Sequence, residues 1–543
     1  MIPSALVALL LVAPALQDST PALPSGGELL AEQAAFDVEH VTLELTIDPE
    51  GRTIDGTMSL NARCVAATKR VFLDLDHPLE VRRVLLRGEE VKAKRRDGRI
   101  EVPCRPPLEP GQDFGVVVEY GGTPRVAVRA PWDGGFTWAE TEDGRPWFTT
   151  TCQGEGADLW WPCKDHPSDK PDGFDLFARV PEGLIVASNG VLVSSDTQDG
   201  WTTFHWHTEN PIANYNVALN VAPYERLDRT FESIGGETVP LSFWALPESV
   251  ERARALLPEI ERHLAFFERR FGPYPFRNEK YGVVETPHLG MEHQTIIAYG
   301  YDFQQHPKYG YDWLHHHELS HEWWGNLVTC RDWKDMWIHE GFGTYCQALY
   351  VEELHGQEAY HATIAEHRRS ISNQGPLAPR GATNSKEIYF GSAGKSSNDI
   401  YYKGSAVLHT LRWLIGDDAF LLSLARMCYP TEEQRQASDG SQVRFVDTED
   451  YVAIAEELAE TELDWFFEAY VREAQLPTLD VKRSSTKLRL RWESPSGAFP
   501  MPVPVRVGDD VVRVACPKGR GSLDIPRGVE VEVDPERWVL RAD

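Results

Sequence analysis

The sequence has 543 residues, too many for one hydrophobic core, so several domains are expected. Its composition is globular, with 42% hydrophobic and 25% charged residues. Acidic residues outnumber basic ones 83 to 54, and this net charge of -29 argues against nucleic acid as a partner, because phosphate contacts need clustered lysine and arginine.

The first predicted element is a signal peptide with a linker, at residues 1–28. Residues 5–16 form an apolar run that is too short to cross a bilayer but has the length of a signal-peptide core. Residues 13–15, near the end of this run, offer a small-x-small cleavage site, although no Lys or Arg precedes the run. We therefore expect export, to a periplasm or out of the cell, and no stable membrane insertion.

An N-terminal β domain is predicted for residues 29–225. Hydrophobic residues alternate with period two in successive runs, and turn clusters separate the runs, a pattern typical of antiparallel sheet. The clearest runs are Val41, Leu43, Leu45 and Ile47; Ile54, Met58, Leu60 and Ala62; and Val71, Leu73 and Leu75.

A mostly helical domain is predicted for residues 226–475, and a small β-sandwich for residues 476–543. In segment 247–275 the apolar residues recur at helical spacing, with Pro247 at its start and Gly272 at its end. After residue 477 the period-two alternation returns. Pro502 and Pro504 indicate an edge strand there, since proline cannot donate to a ladder. The predicted fold class is multidomain α+β.

Eight cysteines are scattered along the chain without a CxxC pair, which argues against a zinc-ribbon site. In an exported protein, Cys152 with Cys163 or Cys64 with Cys104 are candidate disulfides. Buried free thiols are the equal alternative.

The stretch HHHELSHEWWGN contains an HExxH motif at residues 317–321. His317 and His321 are four apart, so on a helix both imidazoles project from nearly the same face and can reach one ion. Zinc fits best, because it accepts neutral imidazole and needs only three protein ligands when one position is left open. His315 and His316 lie off this face and are expected to pack or meet solvent nearby.

Glu340 is the candidate third ligand. It follows His321 after eighteen residues, in a segment that reads as a second helix and could lie opposite the histidine pair. Three ligands with a vacant position are typical of catalytic zinc. Glu318 then has no metal to bind, and is well placed to take a proton from the attacking water.

This spacing, with WWGN after the second histidine and EGF after the third ligand, resembles the gluzincin zinc aminopeptidases, which include aminopeptidase N and its leukotriene-hydrolase relatives. The resemblance runs from about residue 35 to the end and is most specific between Tyr281 and Tyr402. It implies an N-terminal β-saddle, a thermolysin-like catalytic domain and a small β-sandwich. In many members a large helical domain follows, and this sequence ends where that domain would begin, as a short form would.

Residues 289–293, LGMEH, look like the GxMEN exopeptidase motif of that family. The resemblance implies that Glu292 binds the free α-amine of the substrate, and that the backbone at Gly290 and Met291 lines the peptide. Leu289 and His293 depart from the family pattern, which leaves the fine geometry of amine recognition open.

Two further segments carry implied roles. The loop TCQGE resembles a family loop whose Gln or Glu is the second amine ligand; Gln153 takes that place, with Glu155 as the alternative. The segment YYKG matches a Y-x-K-G element whose first tyrosine donates to the tetrahedral oxyanion. That assigns Tyr401, with Tyr402 as the alternative if the register shifts.

The resemblance implies one Zn²⁺ per chain and peptide substrates with a free N-terminal amine. Gln347 departs from the family, because relatives usually carry there a carboxylate that orients a zinc-bound histidine; its amide oxygen can still accept a hydrogen bond. Three alternatives stay open: a zinc endopeptidase, an epoxide hydrolase of the same fold, and a non-catalytic binding scaffold.

Overall fold

The computed structural model describes residues 20–390 and 397–542 of the chain. The predicted signal peptide at 1–28 lies mostly outside these residues. Among the described residues, no helix combines the length and apolar character that a membrane crossing requires. The predicted multidomain α+β class is confirmed: β-rich sheets come first, a helical catalytic region follows, and small sheets end the chain.

The N-terminal region folds into strands β1–β15 and a short helix α1 (Ala31–Ala34). The strands are β1 (Phe36–Asp48), β2 (Thr53–Cys64), β3 (Thr68–Asp74), β4 (Leu79–Leu86), β5 (Glu89–Glu90), β6 (Lys94–Arg96), β7 (Arg99–Leu108), β8 (Asp113–Gly122), β9 (Gly135–Glu140), β10 (Pro146–Thr151), β11 (Gly173–Pro181), β12 (Ile185–Ala187), β13 (Val191–Gln198), β14 (Trp201–Thr208) and β15 (Asn220–Ala222). The alternating hydrophobic residues of β1 and β2 are buried, as their period predicts.

These strands form three sheets. The largest has eight strands in the order β13-β14-β11-β1-β2-β8-β4-β5; the others are β12-β15-β10-β9 and β3-β7-β6. The sheet was predicted to be antiparallel, but β1 pairs in parallel with β11 while pairing antiparallel with β2. Hydrophobic alternation fixes which face of a strand is buried, and it carries no information on strand direction.

The catalytic region contains strands β16–β22 and helices α2–α11. The strands are β16 (Glu225–Glu232), β17 (Thr238–Ala245), β18 (Tyr281–Glu285), β19 (Gly290–Met291), β20 (Ile297–Tyr299), β21 (Val328–Cys330) and β22 (Arg444–Val446). The helices are α2 (Val250–Phe271), α3 (Trp313–Ser320), α4 (Trp337–His355), α5 (Gln357–Arg369), α6 (Ser385–Phe390), α7 (Asp399–Ile415), α8 (Asp417–Cys428), α9 (Glu432–Gln436), α10 (Thr448–Ala459) and α11 (Asp464–Phe467).

A mixed five-stranded sheet, β16-β17-β18-β20-β19, lies inside this region beside its helices. The sequence predicts a mostly helical domain here, and the structure adds this sheet to the helices. β18 and β20 are 5 and 3 residues long, so they are too short to show a recognisable hydrophobic period in the sequence. The sheet matters for the site, because β19 leads directly into Glu292.

Helix α2 follows its sequence signals. Pro247 begins a 3₁₀ turn that runs into the helix, and Gly272 ends the helix with φ 109°, a backbone conformation that favours glycine. Its apolar face is buried against the rest of the domain.

The C-terminal region comprises β23 (Thr478–Arg483), β24 (Lys487–Glu493), β25 (Val503–Val507), β26 (Asp510–Val514), β27 (Arg520–Asp524) and β28 (Val531–Val533). They form two three-stranded sheets, β23-β24-β27 and β26-β25-β28. The edge-strand prediction is wrong for Pro504, since β25 is the central strand. Pro504 lies just beyond the residues that pair with β28, 505–507, and its carbonyl still accepts from the Asp534 backbone N–H at 2.7 Å, so the proline costs this side of the strand one donor at its end.

All eight cysteines lie in the described part of the chain, and each is a buried free thiol. Neither candidate disulfide, Cys152–Cys163 or Cys64–Cys104, is formed. The alternative of buried free thiols is the one the structure shows.

Candidate active site

Helix α3 presents the two histidines of the HExxH motif. The Asp312 carboxylate caps the helix by accepting a hydrogen bond from the backbone N–H of His315 at 2.9 Å. His317 lies in the last turn of the helix and His321 is its C-cap, still with helical backbone angles. Their Nε2 atoms lie 3.3 Å apart, so both imidazoles converge on one point.

Glu340 completes the group from the first turn of helix α4. Its Oε2 atom lies 3.5 Å from the Nε2 atoms of both His317 and His321. The same oxygen is buried and has no hydrogen-bond partner among the described residues. A buried carboxylate oxygen without a partner is costly unless a cation meets it.

The donor set fits zinc. Two imidazole nitrogens and one carboxylate oxygen are typical ligands of a catalytic zinc ion, and ligand atoms around tetrahedral zinc lie roughly 3.3 Å apart. The observed separations of 3.3 and 3.5 Å match that spacing. Burial opposes a charge on His321, but the carboxylates of Glu340, Glu292 and Glu318 outweigh it and raise the pKa of His321 to about 10. The field at this point therefore attracts a cation.

Neighbouring groups orient the three ligands. The Nδ1 of His321 donates to the Trp324 carbonyl at 3.0 Å, which leaves Nε2 free for a metal. Gln347 interacts with His317 and donates its amide N–H to the Trp313 carbonyl at 3.1 Å. Its amide oxygen is thereby free to accept from His317, as the sequence predicts.

The other histidines of the cluster are structural. His315 and His316 are fully buried, so of the two expectations, packing and solvent, packing is the one observed. The His315 ring bonds to His263 at 2.8 Å and to the Tyr281 hydroxyl at 2.7 Å. The His316 ring stacks on Tyr350 at 4.6 Å between ring centres.

Glu318 faces the same cavity as the three ligand residues, which has a volume of about 220 Å³. Gly290 lies directly beneath it: a Cβ atom at residue 290 would lie 2.5 Å from the Glu318 Oε1. Any side chain at residue 290 would therefore have to displace this carboxylate. Burial raises the pKa of Glu318 well above its usual value.

The predicted amine ligands meet at the end of β19. Gln153, from the N-terminal domain, donates its amide N–H to the Glu292 Oε1, and the Tyr215 hydroxyl donates to the same oxygen at 3.1 Å. The backbone carbonyl of Glu292 accepts from Asn326 at 3.0 Å. Burial raises the pKa of Glu292 to about 7. Met291 and Gly290 line the cavity beside it.

Glu155, the alternative to Gln153, points elsewhere. Its carboxylate accepts from the Gly134 backbone N–H at 2.6 Å and pairs with Lys386 at 3.4 Å. His293 is fully buried, and neither ring nitrogen has a partner among the described residues. It therefore takes no part in this cluster.

Both tyrosines of the YYKG segment lie on α7 and border the cavity. The Tyr401 ring lies 6.1 Å from the His317 ring, and its hydroxyl interacts with Glu340. Burial and the charge of Glu340 raise the pKa of Tyr401 well above its usual value, so the phenol keeps its proton. The Tyr402 ring instead packs on His367 at 5.4 Å. The geometry favours Tyr401 over Tyr402.

Two site residues were absent from the sequence predictions. Tyr215 bonds to Glu292, and the Tyr389 hydroxyl lies 2.9 Å from both Glu340 Oε1 and Gln153 Oε1. Neither lies in a recognisable motif, and only folding brings them to the site. No local sequence pattern identifies them, because their role depends on the tertiary structure.

Two family descriptions match the chain: the peptidase M1 N-terminal domain over residues 37–215, and the peptidase family M1 domain over residues 259–470. Together they cover most of the sequence, and the second contains the candidate zinc ligands.

Curated relatives include aminopeptidase N of Haemonchus contortus, 26% identical over 441 residues, which covers 73% of this chain and 43% of that protein. Leukotriene A-4 hydrolase of Xenopus laevis is 24% identical over 427 residues, covering 73% of this chain and 65% of that protein. The chain thus spans less than two thirds of the length of either relative.

Among solved structures, a mutant M1 zinc metallopeptidase from Deinococcus radiodurans with a bound Tyr-Ser-Ala substrate matches with a TM-score of 0.66 and 25% identity. The match covers 82% of this chain and 96% of that one. Matching domain descriptions, a shared fold and a convergent His–His–Glu group agree, and the chain belongs to peptidase family M1, the zinc metallopeptidases.

Proposed function

We propose that this protein is a zinc aminopeptidase that removes the N-terminal residue from peptides. The observation that carries the proposal is the position of Glu292. Its carboxylate lies within 4.8 Å of the Glu318 carboxylate and of a His321 ring nitrogen, and it is paired with Gln153. An acceptor for a cationic amine therefore adjoins the metal ligands.

This proximity selects the first peptide bond. The amine nitrogen and the carbonyl carbon of one residue are about 2.5 Å apart, given the two bonds between them. A peptide whose ammonium is held by Glu292 and Gln153 can present only its first carbonyl to the metal position. An endopeptidase gains nothing from a buried carboxylate in this place.

The residues of the chain then divide the chemistry. His317, His321 and Glu340 would hold the zinc ion, which supplies a Lewis acid at the scissile carbonyl. Glu318 takes a proton from the attacking water and passes it to the leaving amine. The Tyr401 hydroxyl donates a hydrogen bond to the carbonyl oxygen as negative charge develops on it.

Digestion of a linear peptide of about ten residues, followed by mass spectrometry over time, tests the proposal. We expect a ladder of products, each one residue shorter at the N-terminus, with zinc-loaded protein. The Glu318→Gln variant should bind zinc and give no ladder. Fragments from internal cleavage would show an endopeptidase instead, and intact peptide with the zinc-loaded wild type would favour a binding scaffold.

A further inference from the structure

Tyr389 lies in helix α6 and joins two parts of the site that come from different domains. Its hydroxyl is 2.9 Å from the Glu340 Oε1 and 2.9 Å from the Gln153 Oε1. A phenol has one proton, so at any moment it donates to only one of these two oxygens.

The second polar atom of each of these two side chains faces another part of the site. The Glu340 Oε2 faces the Nε2 atoms of His317 and His321 at 3.5 Å, and the Gln153 amide N–H donates to the Glu292 Oε1. The Tyr389 hydroxyl therefore lies between a candidate metal ligand and the partner of the amine acceptor, and its one proton is shared between the two.

We propose that Tyr389 is a positioning residue that couples metal binding to recognition of the N-terminal amine. At the metal end, its hydrogen bond to Oε1 fixes Glu340 so that only Oε2 is directed at the zinc position. When the phenol donates instead to Gln153, it fixes the amide plane of that side chain, with its N–H on Glu292 and its oxygen at the cavity. The amine part rests on the proposed aminopeptidase function; the metal part does not.

The single proton gives the coupling a direction. When a substrate ammonium donates to the Gln153 Oε1, that oxygen no longer needs the phenol, and Tyr389 donates fully to Glu340. An occupied amine site thus strengthens the hydrogen bond that orients the metal ligand, and coupling of this kind is reciprocal.

The metal part is tested by the zinc dissociation constant of the full chain, measured by competition with a chelator. We expect Tyr389→Phe to weaken zinc binding about tenfold, the lower end of the range for lost partners of metal ligands. The matched control is Tyr429→Phe, which removes an equivalent buried bond from a tyrosine hydroxyl to the Pro273 carbonyl, at 2.7 Å, and should leave zinc affinity unchanged. Wild-type zinc affinity in Tyr389→Phe would overturn the proposal.

The amine part is tested at saturating zinc with L-leucine 4-nitroanilide. Tyr389→Phe and Gln153→Ala should each raise KM more than they lower kcat. Because Tyr389 acts through Gln153, the double variant should have the KM of Gln153→Ala alone. Effects on KM that multiply would overturn the link between the two residues.

The zinc-affinity and KM measurements distinguish failure of this inference from failure of the proposed function. If the wild type cleaves no N-terminal residue, the aminopeptidase proposal fails and the zinc measurement still decides the role of Tyr389 at Glu340. Thermal unfolding checks that each variant is folded. Loss of one hydroxyl leaves the aromatic ring in place, so the tyrosine variants are expected to fold.

Discussion

A single oxygen atom, the Glu340 Oε2, defines the metal position, because it is buried, lacks a hydrogen-bond partner and faces both histidines. The sequence predicts these three residues, since HExxH spacing and a helical Glu are local patterns. Tyr389 is different. It reaches Gln153 across 236 positions of sequence, and no local pattern encodes such a contact.

At the same scale, Gly290→Ala should displace the carboxylate of Glu318, the proposed general base, because the added Cβ would lie 2.5 Å from the Glu318 Oε1 and 2.7 Å from the Leu314 Cδ1. A shift of about 1 Å in a reacting group costs on the order of 100-fold in rate. We expect kcat to fall by about that factor while zinc content stays at that of the wild type.

Gly375→Ala is the control for this substitution, since a Cβ there meets no atom within 4 Å. It should leave kcat unchanged. Equal activity of Gly290→Ala and Gly375→Ala would contradict the placement of Glu318.

Asp158 is a second residue with a specific energetic role, because its carboxylate is buried without a partner in the described part of the chain. It is buried beside Asp165, Asp74 and Asp76, and neither of its carboxylate oxygens has a partner among the described residues. Burial, then these neighbouring charges, raise the pKa of Asp158 well above its usual value, and burial raises the pKa of Asp165 to about 7. The fold therefore favours the protonated carboxyl.

The sign of the pH dependence follows from this. A carboxyl whose pKa is raised on folding stabilises the fold fully below its unfolded pKa, near 4, and loses that contribution as pH rises through the folded pKa. The thermal unfolding midpoint of the wild type should decrease as the pH is raised from 5.5 to 8.5. The midpoint of Asp158→Asn should decrease less over this range, because the variant lacks one proton whose loss costs about 1.4 kcal/mol of stability per pH unit.

Asp196→Asn, a substitution of an exposed acid, should keep the wild-type pH dependence. An identical loss of midpoint in Asp158→Asn and in the wild type would show that Asp158 is not the group responsible.

At the scale of elements, helix α3 has only 8 residues, yet it carries the candidate zinc ligand His317 in its last turn and the second candidate, His321, at its C-cap. Asp312 supports its N-terminus through the hydrogen bond from His315, and the Asp312 carboxylate also accepts from the Tyr299 hydroxyl. Isolated helices of this length are unstable, so the cap and the packing hold it.

Asp312→Ala should therefore destabilise the protein by about 1–2 kcal/mol, the upper range for a lost helix cap. Asp312→Asn keeps an acceptor for the His315 N–H and should recover most of that loss. Denaturant unfolding of the two variants beside the wild type measures the difference, and equal stability of Asp312→Ala and the wild type would exclude the capping role.

The success of sequence prediction at this scale depended on element length. Helix α2 and strands β1 and β2 were predicted because 12 to 22 residues give many repeats of one period. Strands β18 and β20 were missed at 5 and 3 residues. The Pro504 prediction was wrong for a different reason: the proline rule concerns one missing donor, and at Pro504, just beyond the residues paired with β28, a central strand tolerates that loss.

At the scale of the whole molecule, the site forms only where two regions meet. The catalytic region supplies His317, His321 and Glu340, while the N-terminal region supplies Gln153 and Tyr215 at the Glu292 carboxylate. The metal half could be predicted from spacing, whereas the amine half depended on resemblance to a family. The contacts across the junction required the fold.

We propose that Glu292 makes this metallopeptidase specific for free N-termini. The most direct measurement is kcat/KM for one short peptide with a free amine and for its N-acetylated form, in the wild type and in Glu292→Ala. Loss of charged hydrogen bonds worth about 3 kcal/mol predicts that the wild type prefers the free amine by about 100-fold or more, and that Glu292→Ala removes most of this preference. Equal cleavage of both peptides by the wild type would contradict the account.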